Sequence, residues 1–275
     1  MKTYVEIKKA FAETRNELAP LLKRLDLEKI SKHNNGYLEY THDRVTRFID
    51  AEERAHIKII ENLIHLLPEK ACIVDIGFFI PIIPVTLSKL GFRVISFEKL
   101  SFYGDALDEL ITWASSAYEI EVMDFDILND EILIFRDRFD AVILSAILEH
   151  LNGSPRLLLE RASIIGKKNA YYFFTVPNVA SLQKRVSLFF KGVGPFPPIC
   201  VYYNSAYPFT GHNREYSMND LAYVLKKSGY NILKIEAFNC HIPSVHSIKD
   251  QLNRIIAKIG SESLRDSIIA IAKKI

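Results

Sequence analysis

The chain has 275 residues, nearly half of them apolar (49%) and a quarter charged (25%), with a formal net charge of +2. This is enough apolar material for a buried α/β core with appended elements and excludes a disordered chain, while balanced charge and the lack of a Lys/Arg block argue against a dedicated nucleic-acid binder. Three scattered cysteines (Cys72, Cys200, Cys240) without a CxxC pair, a start that lacks the apolar run of a secretory leader, and no span of transmembrane length lead us to expect a cytoplasmic protein with no integral membrane contact.

Residues 3–30 and 43–67 repeat apolar positions at helical spacing, as in Ile57, Ile60, Leu63, Ile64 and Leu67, before Pro68 ends the second run. Residues 1–68 therefore read as an N-terminal helical cap, with the polar "SKHNNGYLEYTHD" as a connecting loop. From residue 71 the pattern changes to short apolar runs, "ACIVDI", "FRVISFE", "YEIEVMDFD", "FDAVILSA" and "AYYFFTVP", separated by helical or mixed segments. Continuous runs of this kind predict parallel strands covered on both faces. The stretch at about 179–212 begins as an amphipathic helix and turns rich in proline and aromatics, which reads as an inserted lid or substrate wall after the fifth strand. Closure over the core edge, or a membrane-surface contact through Lys184, Arg185, Phe189, Phe190 and Lys191, are other readings of the same pattern. "GYNILKIEAFN" and "DSIIAIAKKI" complete the sheet, with a polar helical stretch between them around residues 249–259. The expected fold is Rossmann-like α/β: a seven-stranded, mostly parallel sheet with helices on both faces, the cap over 1–68, and a core over 69–275 that carries the lid.

In an open α/β sheet, ligands sit outside the carboxyl ends of the strands, so the turn within "VDIGFFIPIIPVTLSKLG" (74–91) is the first place to look. Gly77 lets the backbone turn and approach a ligand, and Glu98, at the end of the second strand, can accept both hydroxyl protons of a ribose. An ordinary turn glycine and an ordinary strand-end acid are the bland alternatives. Phe79 and Pro81 stand where such turns usually carry glycine. With Pro84, Pro81 removes N–H donors that a pyrophosphate requires, so a dinucleotide is disfavoured and a nucleoside without phosphates fits better.

Five stretches in order, "VDIGFFIPIIPVTLSKLGFRVISFE", "DFDILND", "RFDAVILSAILEHLNGSPRLLLE", "FFTVPN" and "GHNREYSMNDLAYVLKKSGYNI", resemble the class I S-adenosylmethionine-dependent methyltransferases, in particular a small-molecule and glycan branch with EHL and HNREYS motifs. The resemblance implies S-adenosylmethionine as cofactor and S-adenosylhomocysteine as product. It implies that Asp75, Gly77 and Phe79 lie by the amino-acid part of the cofactor, Glu98 on its ribose, Asp126 and Ile127 at the adenine with Asp124 as a competitor, and Ser145 and Ala146 beside the methyl donor. Glu149 and His150 follow the fourth strand, with His150 either a base near neutral pH or a brace for its loop. In "GHNREYS", His212 is the second catalytic candidate. Arg214 and Tyr216 face an acceptor together with Glu149, unless this polar network only anchors the lid. Ser217 and Asp220 have capping-box spacing. Tyr37, Tyr40 and His42 would close over the cofactor. No metal is expected, since "CHIPSVH" (Cys240, His241, His246) lacks a second ligand pair.

The implied reaction is methyl transfer to an oxygen or nitrogen of a small-molecule or glycan acceptor, without nucleic acid, and with a homodimer left open. Two alternatives stand beside it. One is a non-catalytic binding or regulatory protein with a degenerate cofactor loop. The other is an RNA methyltransferase with a basic groove around Lys184, Arg185 and Lys191.

Overall fold

The computed structural model describes residues 2–33, 41–194, 197, 199–205, 209–240 and 261–275. Seven strands, β1 (Cys72–Ile76), β2 (Arg93–Glu98), β3 (Glu121–Asp124), β4 (Phe139–Ser145), β5 (Gly166–Pro177), β6 (Tyr230–Phe238) and β7 (Ser267–Lys274), form one sheet in the order β3-β2-β1-β4-β5-β7-β6. The first five in that order are parallel, and β7 runs antiparallel to both β5 and β6. The seven-stranded, mostly parallel sheet expected from the sequence is present.

Nine helices are described: α1 (Tyr4–Leu22), α2 (Leu27–His33), α3 (His42–Leu66), α4 (Ile82–Lys89), α5 (Asp108–Tyr118), α6 (Arg156–Ile165), α7 (Leu182–Lys191), α8 (Ile199–Asn204) and α9 (Met218–Lys227). Local chemistry sets several boundaries. Thr3 and Glu6 form a capping box that starts α1, and Ser217 with Asp220 does the same for α9. Gly192, at φ +61°, ends α7.

Strand alternation divides the core into two layers. Ile73, Ile143, Phe173 and Ile271 face one side, where they join Ile7 and Phe11 of α1, Ile60 of α3 and Leu87 of α4. Val74, Leu144, Phe174 and Ala272 face the other, with Leu159 of α6 and Leu221 of α9. Consecutive strand residues are thus buried on opposite faces, which explains why these runs are continuously apolar. Each of the larger side chains among these contributes about 1.5–3 kcal/mol on burial. The N-terminal helices share their hydrophobic cluster with the sheet itself.

β1 is the switch point, because β2 lies on one side and β4 on the other. A crevice therefore opens at the carboxyl ends of β1 and β4. After β5, Phe189 (81%), Phe190 (76%) and Tyr203 (83%) are exposed, while α7 lines the crevice through Gln183 and Lys184. Tyr37, Tyr40, His241, His246 and the stretch at 249–259 lie outside the described residues.

Candidate functional site

A cavity of about 830 Å³ opens at the carboxyl ends of β1, β2, β4 and β5, within the size range of small-molecule sites. At one end, the Gly77 amide donates to the Phe97 carbonyl (2.8 Å), extending the β1–β2 ladder by one step before the chain turns at φ +70°. A Cβ on Gly77 would lie 3.0 Å from Cδ1 of Ile147, so glycine is required for both backbone conformation and space. Phe79 also has positive φ (44°), at a cost of order 1–2 kcal/mol for a bulky residue. Two contacts offset this cost. The Phe79 amide donates to Oε2 of Glu98 (2.9 Å), and its ring stacks on Tyr103 with centroids 5.3 Å apart. Pro81 caps α4 and Pro84 sits in its first turn, where a missing N–H breaks no intrahelical bond.

Asp75 and Glu98 are both buried at this end. Burial, followed by the charge of Glu98, pushes the Asp75 carboxyl well above the ordinary carboxylate range. Burial likewise pushes Glu98 up to about 7, against the opposing effect of the Phe79 and Lys99 amides that donate to it. Two neighbouring buried carboxyls with raised pKa values favour a ligand whose hydroxyls or cation add to the donors they face.

At the other end, Ala146 adopts φ +55° as the chain leaves β4 and enters the 3-10 turn Leu148–His150. The amides of Asn213 and Arg214 donate to the Glu149 carbonyl (2.7 and 3.2 Å). The Asn213 side chain donates to the carbonyls of His150, Phe209 and Gly211 (3.1, 3.3 and 3.3 Å). This bracket fastens the "GHNREYS" loop onto the end of β4 and brings His212 against His150, their rings edge to face at 4.8 Å.

Nδ1 of His150 lies 3.0 Å from the Thr210 carbonyl and Nδ1 of His212 lies 3.1 Å from Oε1 of Glu215. A carbonyl and a carboxylate only accept, so each Nδ1 carries the proton and each Nε2 is the nitrogen left for other chemistry. Glu215 also pairs with Lys184 of α7. Burial, then the charge of His212, lowers His150 to about 4, although the carbonyls of Thr210 and Gly211 oppose this. For His212, burial acts to lower the pKa, but the Glu215 hydrogen bond and the charges of Glu149 and Glu215 outweigh it and the value is raised. Glu149 is fully buried, and neither of its carboxylate oxygens has a hydrogen-bond partner among the described residues. Burial pushes it up to about 7. One donor atom from each of Glu149, His150 and His212 lies within 4.8 Å of the others.

The cavity brings together Asp75, Gly77, Phe79, Glu98, Ser145, Glu149, His150 and His212 of the residues expected from sequence. Ser145 is held by Thr175, Oγ to Oγ1 at 2.7 Å. Four others lie outside the residues that line the cavity. The Asp126 carboxylate turns to Lys99 (2.9 Å), Asn129 (2.8 Å) and the Leu128 amide (2.9 Å), closing its own turn, and Ile127 is buried in the second hydrophobic layer. Arg214 is exposed, with its guanidinium over the Tyr216 ring, and Tyr216 is a buried core residue whose chain bridges to Asn178.

Sequence reasoning missed two contributors. The first is α3, whose Val45, Ile49, Glu52 and His56 line the cavity along one face. The signal was there, because Glu52 and His56 interrupt an otherwise apolar stripe at i, i+4. His56 is buried, burial lowers it to about 4, and its Nδ1 has no partner among the described residues. The second is Asn213, a polar residue between two candidates, whose role depends on the Glu149 and His150 carbonyls, distant in sequence.

No protein-family model matches the sequence, and no curated protein matches it. The fold has solved counterparts. One is a SAM-dependent methyltransferase of Thermotoga maritima described as a possible histamine N-methyltransferase, 16% identical, with a TM-score of 0.54, covering 85% of this chain and 95% of that one. Another is the 1,6-didemethyltoxoflavin-N1-methyltransferase of Burkholderia thailandensis with bound S-adenosylhomocysteine (12%, 0.54, 85% and 83%). A third is magnesium protoporphyrin IX methyltransferase from Synechocystis PCC 6803, also with bound S-adenosylhomocysteine (13%, 0.52, 82% and 84%). At these identities the likeness is one of fold.

Proposed function

We propose that the cavity binds S-adenosylmethionine and that the protein transfers its methyl group to an oxygen or nitrogen of a small molecule or glycan. The observation that carries this reading is the buried Asp75–Glu98 pair at the β1 turn, two neighbouring carboxyls at the end of a cavity of about 830 Å³ with room for a nucleoside and an acceptor. Each Glu98 oxygen already accepts one amide and retains a lone pair for a ribose hydroxyl. Asp75 and the exposed backbone of Gly77 suit an ammonium-bearing tail. Phe79 and Tyr103 offer an apolar wall for the adenine, the part first expected from Asp126 and Ile127. A pyrophosphate fits poorly, since the Phe79 amide is committed to Glu98 and Pro81 has none.

S-adenosylmethionine supplies an electrophilic methyl on a sulfonium, and transfer leaves S-adenosylhomocysteine. The chain's part is alignment and exclusion of water, with proton removal only where the acceptor requires it. His150, neutral at physiological pH with Nδ1 on the Thr210 carbonyl, presents Nε2 toward an acceptor proton. Ser145 and Thr175 hold the strand ends beneath.

Calorimetric titration with S-adenosylmethionine and S-adenosylhomocysteine, with adenosine and NAD as controls, tests the reading. Binding of the first two and not NAD supports it. No binding up to millimolar concentration would favour a non-catalytic protein in which the Phe79–Tyr103 stack closes the cofactor turn.

A further inference from the structure

We propose that Glu149, His150 and His212 form a site for one divalent transition-metal ion, Mn²⁺, Fe²⁺, Co²⁺ or Zn²⁺, at the acceptor end of the cavity. Two independent observations carry it. The first is convergence: one carboxylate oxygen and one nitrogen from each of two imidazoles lie within 4.8 Å of one another, although His212 comes from a different loop. An ion about 2.1 Å from each donor holds two donors about 3.4 Å apart at a tetrahedral angle and at most about 4.2 Å apart, so occupancy draws the three groups together by up to roughly an ångström. Rotation of the Glu149 carboxyl or a small shift of the imidazoles supplies this movement.

The second observation is Glu149 itself, fully buried with neither oxygen hydrogen-bonded among the described residues. A carboxylate in that state is costly unless a cation or donor meets it. The surroundings supply the supports that metal-binding histidines generally use. Nδ1 of His150 is fixed by the Thr210 carbonyl and Nδ1 of His212 by Glu215, which leaves Nε2 of each to ligate. Lys184, the nearby cation, is paired with Glu215.

Two imidazoles and one carboxylate favour ions of intermediate softness over Mg²⁺ or Ca²⁺, which prefer all-oxygen shells. Three protein ligands leave at least one position open to the cavity, for water or for an acceptor oxygen. An acceptor hydroxyl bound there would lose its proton more readily, to bulk water and with the ion in place of His150 as the activating group, directing transfer to oxygen. That last role rests on the methyl-transfer reading, whereas ion binding does not.

The test uses the full chain, freed of metal by dialysis against chelator and then titrated with MnCl2 and with ZnCl2 in the absence of cofactor. The expected result is a single site with one or both ions, weakened at least tenfold in Glu149→Gln and in His212→Gln while the thermal midpoint of the ion-free protein is retained. Co²⁺ loading should give a visible absorption band that His150→Gln shifts. The proposal is overturned by no binding by wild type up to millimolar ion, or by binding unchanged in both Glu149→Gln and His212→Gln. Loss of binding in His246→Gln with retention in Glu149→Gln would do the same, by assigning the ion to "CHIPSVH". Because no arm uses S-adenosylmethionine, failure here is separable from failure of the cofactor reading.

Discussion

The two ends of the cavity carry buried carboxylates in opposite circumstances. At the β1 end, Glu98 accepts the Phe79 and Lys99 amides, so the turn contributes to its own carboxylate's solvation. At the β4 end, Glu149 has its backbone carbonyl tied down by Asn213 and Arg214, while both side-chain oxygens go without a partner among the described residues. One end is a partly satisfied acceptor awaiting hydroxyl donors. The other is a positioned anion awaiting a cation. The difference teaches that burial alone does not define a ligand's chemistry: what the backbone already supplies decides what remains to be supplied.

The contrast can be broken at several points. The largest effect is expected for Gly77→Val, which places a β-branched residue at φ +70° against Ile147 and should destabilise the fold by about 2–4 kcal/mol in urea unfolding. Gly91→Ala, at φ +92° with open space around it, should cost only about 1 kcal/mol. Equal midpoint shifts for the two would remove the Ile147 contact from the explanation.

Next is Glu98→Ala, expected to weaken S-adenosylmethionine by about 1–3 kcal/mol in calorimetry; unchanged affinity would take Glu98 out of the site. The same residue gives a pH signature. Its folded-state pKa of about 7 lies above the ordinary value of 4.5, so its contribution to stability is fully present below about pH 4.5 and is lost as pH rises through 7. The thermal midpoint of the ligand-free wild type should therefore fall more between pH 5 and 7.5 than that of Glu98→Gln. Parallel pH profiles would mean that Glu98 is ionised throughout.

Asn213→Ala removes the side-chain donations that fasten the "GHNREYS" loop, and a loss of about 1–2 kcal/mol in stability is expected. It should also weaken Mn²⁺ or Zn²⁺ without removing a ligand. Retained ion affinity would show that His212 is held by Glu215 alone. The smallest effect is expected for Asp126→Ala, which should leave cofactor affinity within about 0.5 kcal/mol, since it breaks a partly exposed ion pair outside the cavity. A tenfold loss would restore Asp126 to the adenine.

The sheet was legible because its strands are covered on both faces, so that "CIVDI" and "FDAVILS" read as continuous apolar runs whatever surrounds them. Gly77 and Glu98 were legible because they follow directly from strand ends, where adjacency in the sheet reproduces order in the chain. Asp126 also follows a strand end, but its carboxylate is already engaged by Lys99 and Asn129. Helix α3 was readable as amphipathic, and only the polar pair Glu52 and His56 within its apolar stripe distinguishes a face on a cavity from a face on the core.

The sequence by itself determined the α/β alternation, the turn that needs glycine at position 77, and the acids and histidines that flank the strand ends, because each depends on residues close in the chain. Only the tertiary structure decided that β7 inserts between β5 and β6, that Glu149 is left without a hydrogen-bond partner among the described residues, and that His150 and His212 meet over it. Those outcomes depend on backbone groups from separate loops, such as the Thr210 carbonyl on His150 and the Asn213 amide on Glu149, which become neighbours only when the loops pack on the sheet.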